Sequence, residues 1–174
     1  AKKEIQKSIS LNEFYSEAYI NMGMAKILEN KLDEAIVNFN KAISIDPDNP
    51  QYFLNKSMLL LLKGDFKKGW ELYEWRLKIE KNNRIIELDQ NKKWDGNKNL
   101  NNKTILLISE QGLGDTIQFS RFVKLLSNLG ANIIFEVQKP LINLLSEQDT
   151  NVRIISKDEK IHFDYFIPLL SLPK

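Results

Sequence analysis

An internal period constrains this chain more than any other feature. Shifted by 34 residues, the segment from Ser16 falls on the segment from Pro50: Tyr19 on Phe53, Asn21 on Asn55, Gly23 on Ser57, Leu32 on Phe66, Ala35 on Gly69 and Phe39 on Tyr73. A fixed period of this length marks a supersecondary unit that cannot bury its apolar face alone and must stack on its neighbours. Apolar residues recur at helical spacing in two stretches per unit. Helix A of the first unit is expected over residues 16–29 and helix B over 32–45; in the second they are expected over 49–63 and 65–81. The turns fall at Asn30 and at Lys63-Gly64-Asp65, where glycine suits the left-handed position after a helix. Small residues at 35 and 69 let the two helices approach closely. Ile5 and Ser8 fall in phase with Phe39 and Ala42. Residues 1–15 therefore read as helix B of an earlier unit, and a half unit with a bare apolar face leads us to expect sequence upstream.

With Asp46-Pro47 closing the first unit, the pattern resembles the tetratricopeptide repeat, and Lys26, Lys56 and Arg76 depart from it. The resemblance implies a concave groove lined by the A helices, with a protein or peptide as partner. Asn21 and Asn55 occupy the same place in successive A helices, and an amide both donates and accepts, so it can pair with a peptide backbone. The similarity extends to the repeats of O-linked N-acetylglucosamine transferases, which implies an asparagine ladder holding protein substrates. The alternative is a spacer whose asparagines are simply solvated.

Between Asn82 and Lys103 the apolar period stops, and we expect a solvated linker. Trp94 is the residue expected to dock it, and Arg84–Leu88 a short extended piece. From Thr104 the period changes. Thr104–Ser109, Asn132–Val137, Val152–Ile155 and Phe163–Ile167 read as strands; residues 115–129, ended by Gly130, and residues 140–147, opened by Pro140, read as helices. Strands alternating with helices predict βαβ units and a parallel sheet. The expected fold is thus helical hairpins (half repeat 1–15, repeats 16–49 and 50–81), a linker (82–103) and a partial Rossmann-like α/β domain (104–174).

Glu110-Gln-Gly-Leu-Gly-Asp-Thr116 joins the first strand to its helix. A glycine-rich turn there presents backbone N–H groups to an anion. A nicotinamide-dinucleotide fingerprint fails at its third glycine, where Ile117 stands, although Glu136 would suit a ribose. A Walker A loop is excluded because no Gly-Lys-Ser/Thr follows. Asp115 is either a general base toward a hydroxyl or the N-cap of the following helix. His162, without an obvious partner, is assigned no role.

Trp94-Asp-Gly96, Thr104–Phe119, Phe135–Pro140 and Phe163–Pro173 together resemble bacterial glycosyltransferases that carry tetratricopeptide repeats. Their catalytic part is similar to the heptosyltransferase family, glycosyltransferase family 9, of GT-B fold. The resemblance implies that the α/β part forms the acceptor side of a two-domain cleft, with Asp115 as general base and with Gly112, Gly114, Thr116 and Gln118 lining the substrate mouth. It implies a sugar nucleotide only for a complete enzyme. The chain ends before a second Rossmann domain, so no cofactor and no transferase activity are expected of it alone. The competing reading is a non-catalytic tetratricopeptide scaffold.

Composition narrows the field. The chain has 174 residues, no cysteine, one histidine and a formal net charge of +2. Disulfides, thiolate chemistry and multi-histidine metal sites are excluded, and no metal is expected. So small and dispersed an excess gives no reason to expect nucleic acid. No apolar run approaches the roughly 18 residues of a membrane span. The sequons at Asn55 and Asn102 read as chance, the cytoplasm is the expected compartment, and association through the unfinished sheet edge and the bare repeat face is open.

Overall fold

Glycine and asparagine at repeat-equivalent positions turn the chain back on itself. The computed structural model describes residues 2–79, 83–147, 152–157, 159 and 161–174; it divides into two units, residues 1–81 and 82–173. In the first unit, α1 (Lys2–Leu11) precedes α2 (Ser16–Leu28) and α3 (Leu32–Ile45), then α4 (Pro50–Leu62), α5 (Phe66–Tyr73) and α6 (Arg76–Ile79). Asn30 (φ 58°) and Gly64 (φ 84°) take the left-handed conformation after α2 and α4. Each turn is closed by paired bonds, Lys31 N–H to Lys26 O and Asn30 N–H to Ile27 O in one, Asp65 N–H to Leu60 O and Gly64 N–H to Leu61 O in the other. These are the bonds of a Schellman cap. Asn49 caps α4 by accepting from the Gln51 N–H at 3.2 Å, with Pro50 at the first helical position.

The hairpins are held by contacts that leave no room for a side chain. A methyl at Gly23 would overlap the ring of Phe39 and stand 3.3 Å from Ala35 O. Phe39, Ala35 and Leu59 form the buried centre. In the second hairpin the bare position has moved to the other helix. Ser57 replaces Gly23, its hydroxyl donating to Leu54 O at 2.7 Å, and Gly69 replaces Ala35, where a methyl would stand 2.6 Å from Leu61 Cδ2.

The helix expected over 65–81 breaks before Arg76. Arg76 stands where Ala42 stands one repeat earlier, and a guanidinium does not fit a methyl's volume. Bonds from Trp75 N–H to Leu72 O and from Leu77 N–H to Glu74 O tighten the chain there. Trp75 lies flat on Phe53, centroids 3.9 Å apart, with the Lys78 ammonium 3.6 Å from the Trp75 centroid. Arg76 is fully buried; its Nη1 donates to Tyr73 O (3.1 Å) and Glu74 Oε1 (2.9 Å).

The second unit contains a four-stranded, wholly parallel sheet in the order β3-β2-β1-β4, built from β1 (Thr104–Ile108), β2 (Asn132–Val137), β3 (Val152–Ser156) and β4 (Tyr165–Pro168). Leu106 is paired with Ile134 on one side and Phe166 on the other. The near-continuous apolar run of β1 is what a strand buried on both faces requires. Helices α7 (Asn83–Glu87), α8 (Leu113–Ser120), α9 (Val123–Asn128) and α10 (Ile142–Ser146) complete the unit.

Two sequence expectations need correction here. Residues 84–88, expected to be extended, lie largely in α7: Gln90 Nε2 donates to Ile85 O (2.7 Å) and Leu88 O (2.9 Å), satisfying carbonyls at the helix end, and Ile85 is buried. The β-preference of Ile85-Ile86 yields to that local context. The single helix expected over 115–129 begins at Leu113 and is interrupted at Arg121-Phe122, where i to i−3 bonds from Phe122 and Leu125 tighten the turn and the Arg121 guanidinium lies 4.8 Å from the Phe122 centroid.

The chain expected to be a linker lies against the sheet. Lys93 forms a parallel bridge with Phe166, the Trp94 N–H donates to Phe166 O at 2.9 Å, and the indole N–H donates to Lys98 O at 2.8 Å. Leu100 is buried. On the same side, Asp164 fixes the start of the β1–β4 ladder. Its Oδ2 accepts from the Thr104 N–H at 2.8 Å and its own N–H donates to Thr104 O at 2.9 Å. The Thr104 bond, helped by the nearby charge of Lys103, holds the Asp164 carboxyl below its usual range.

Gly23→Ala is expected to destabilise the repeat unit by about 1–3 kcal/mol through overpacking, read as a lower denaturant midpoint at unchanged slope. For Asp164, a folded pKa below the unfolded one stabilises the fold above the ordinary carboxylate range, and this contribution is lost as pH falls through the folded value. Asp164→Asn should therefore lower the urea midpoint at neutral pH, with wild type and variant converging in acid.

Candidate functional sites

The glycine turn after β1 begins at the carboxyl end of an inner strand. β2 and β3 are laid down on one side of β1 and β4 on the other. The direction of winding therefore reverses at β1, the place where open α/β sheets form a ligand crevice. Gly112 (φ −68°, ψ 170°) is the N-cap of α8, and Asp115 is its third helical residue. Asp115 is thus not itself the N-cap. Gly112 carries the extended backbone that precedes the helix, and the Asp115 carboxylate reaches back to accept from the Gly112 N–H at 3.2 Å. Because glycine has no side chain, this is half of a capping box.

Neither glycine of the turn has a left-handed backbone. A methyl at Gly114 would meet nothing within 4 Å, and one at Gly112 would meet only Asp115 Oδ2, at 3.4 Å. The two glycines and Gln118 are exposed, and Asp115 is half-buried. Gln118 follows Gly114 by four residues and Asp115 by three, so it shares their face of α8. Thr116 does not. It is buried, with its hydroxyl 3.2 Å from Gly112 O and 3.0 Å from Gln138 Oε1, its one proton serving one acceptor at a time.

Gln138 is the residue that sequence reasoning missed. Placed just after β2, it donates from Nε2 to Gln111 O at 2.7 Å and meets Thr116 through its carbonyl. With the Ser109 N–H donating to Glu136 O at 3.0 Å, it ties the turn to the neighbouring strand. The available signal was its position at the carboxyl end of the second strand, next to the turn in any parallel βαβ unit. A small cleft of about 150 Å³ opens there, with Ser109, Gln138, Lys139 and Lys157 among its walls.

In the repeat unit Asn21 is exposed and Asn55 half-exposed. The rungs are not equivalent, because Gln51 Nε2 donates to Asn55 Oδ1 at 2.9 Å, whereas Glu17 stands at the matching place before Asn21. An apolar stripe accompanies them that sequence reasoning also missed. Met24 and Met58, one period apart, are each 49% exposed, and Leu28 and Leu62, likewise one period apart, are 89% and 65% exposed. Spacings of three and four place Asn21, Met24 and Leu28 on one face of α2, and Asn55, Met58 and Leu62 on the matching face of α4. The exposed apolar residues of the A helices thus repeat in register. Among the described residues no group of three or more His, Asp or Glu side chains is placed to hold a metal ion, and no helix is long and apolar enough to cross a membrane.

Comparison with known proteins agrees with the repeat geometry. Residues 16–49 match the tetratricopeptide repeat family, so the chain carries tetratricopeptide hairpins followed by a parallel α/β sheet. Protein FlbA of Caulobacter vibrioides is 26% identical over 121 residues, covering 67% of this chain; the chain spans about one fifth of that relative, 20% of its length. Among solved structures, MamA is 23% identical over 50% of each chain (TM-score 0.42). YrrB, described as a TPR protein with an unusual peptide-binding site, is 16% identical over 86% of this chain and 59% of its own (TM-score 0.45). A mutant of the Thermobaculum terrenum O-GlcNAc transferase is 12% identical over 88% of this chain and 37% of its own (TM-score 0.44).

Proposed function

We propose that the repeat unit binds a protein or peptide segment along the exposed face of α2 and α4, and that the α/β unit forms the acceptor side of a glycosyltransferase cleft of the GT-B kind. The observation that carries the first part is the in-register repetition of Asn21-Met24-Leu28 as Asn55-Met58-Leu62. Amides at one end of each stripe can hold a peptide backbone, and the thioether and leucine side chains offer adaptable apolar contact. The second part is supported by the placement of Gly112, Gly114, Asp115 and Gln118 at the carboxyl end of β1, and by the similarity of Glu110–Phe119 to the heptosyltransferase family. An aspartate there can take the proton of an acceptor hydroxyl as it attacks the sugar carbon and the nucleotide leaves. Gly114 leaves open space over the helix start, as a residue approached by substrate would. Thr116, engaged with Gln138, acts on the site by holding the turn.

The second reading is a repeat scaffold whose α/β unit is purely structural. It is favoured by the bond from Gly112 to Asp115, which gives the carboxylate a capping role of its own. Asp115→Asn separates the two, since an amide oxygen can still accept from the Gly112 N–H but cannot serve as a base. In a preparation that transfers sugar from a nucleotide donor, the variant is expected to lose about 10²–10⁴-fold in rate with its melting transition nearly unchanged. An unaltered rate leaves Asp115 as a helix-start residue. For the repeats, the double variant Asn21→Ala/Asn55→Ala is expected to bind a peptide ligand about tenfold or more weakly by calorimetry, and equal affinity would remove the ladder.

A further inference from the structure

A different surface of the repeat unit inverts its charge between one repeat and the next. A cleft of about 460 Å³ lies between α3, α4 and α5, with Lys56, Lys63, Asp65, Lys68 and Glu71 among its walls. Each can be compared with its equivalent 34 residues earlier. Lys56 replaces Met22, Lys63 replaces Glu29, and Lys68 replaces Glu34. In the first repeat Met22 is buried and the surrounding charges are satisfied: Lys26 pairs with Glu34, and Lys2 and Lys31 with Glu29. In the second, Leu60 has taken the place of Lys26, and a buried apolar position has become a lysine with two more lysines in place of the acids.

The pairing in the second repeat is incomplete. Lys63 pairs with Asp33, and Lys68 lies 3.5 Å from Asp65. The ammonium of the half-buried Lys56 makes no hydrogen bond or ion pair among the described residues. Burial, with the charge of Lys68 adding to it, holds its ammonium below the usual lysine range. A cation removed from water without a partner is costly, and an incoming anion relieves that cost. Asp33 neutralises Lys63 and Asp65 neutralises Lys68, so among the described residues Lys56 is the wall cation without a pairing carboxylate, and with Glu71 also on the wall the cleft carries no excess positive charge. One unpaired cation suits one negative charge and leaves a dianion in excess. The apolar walls Ile36 and Leu60 suit aliphatic neighbours of the anion.

We propose that this cleft is a binding site for a single carboxylate, the Asp or Glu side chain of a peptide segment flanked by aliphatic residues, with Lys56 as its counter-ion. Lys56 follows Asn55 and so points about 100° away from it around α4, which makes the site separate from the Asn-Met-Leu face. The test is an NMR titration of the isotopically labelled chain with blocked Leu-Glu-Leu, Leu-Gln-Leu and Leu-phosphoserine-Leu peptides. We expect saturable shifts at Lys56, Leu60 and Lys68 with the glutamate peptide at millimolar concentration, and about tenfold or more weaker binding by the glutamine peptide. Lys56→Met restores the residue of the first repeat and should weaken the glutamate peptide to the same degree, while Lys56→Arg retains binding. Absence of saturable shifts, equal binding by the glutamine peptide, or unchanged binding by a folded Lys56→Met protein would each overturn the proposal. Tighter binding of the phosphoserine peptide would overturn the assignment to a carboxylate.

Discussion

The close approach of two helices at a residue without a side chain governs the repeat unit. Gly23 against Phe39 and Ala35, and Gly69 against Leu61, bring A and B near enough for a single layer of side chains to fill the hairpin. Everything the A helices present follows from that contact, because it fixes which side of α2 and α4 faces inward. The exchange of glycine between helix A in one repeat and helix B in the next keeps the close approach while changing which chain yields. The period therefore conserves a volume rather than a residue.

Much of this was legible in the sequence because it is periodic. The offset of 34 residues, the small residues and the turns at Asn30 and Gly64 each follow from local rules, and α2, α3 and α4 lie within one or two residues of expectation. What escaped is what breaks the period. Arg76 was visible as a departure, but the helix interruption before it depends on a guanidinium lacking room and on the Phe53–Trp75 stack, both tertiary facts. Nothing in the sequence sets Met24 and Met58 apart from other helical apolar residues, and only their exposure in the fold shows that they are left outside.

In the α/β unit the strands were readable from apolar runs, and the glycine turn stands at the end of β1 where the alternation of elements implies. The cap was misplaced because Asp115 has the chemistry of an N-cap while Gly112 has its backbone. Gln138 was silent for a different reason: its partners lie 22 and 27 residues away, so its role exists only once β2 is laid beside β1. In the connecting segment composition points to solvent and only Trp94 to docking; the backbone bond from the Trp94 N–H and the bridge of Lys93 to Phe166 are details that composition does not reveal.

That segment makes the two rims of the sheet unequal. Beside β4, Lys93 and Trp94 occupy the hydrogen-bonding rim near Phe166 with an irregular stretch of chain, and such covering keeps a foreign strand from annealing there. On the opposite rim lies β3, with Val152 and Ile155 buried and Arg153 exposed, and among the described residues no named strand pairs with its outer side. The two rims therefore differ in kind: at one a lysine and a tryptophan contribute backbone bonds in place of a further strand, and at the other the named strands end with β3.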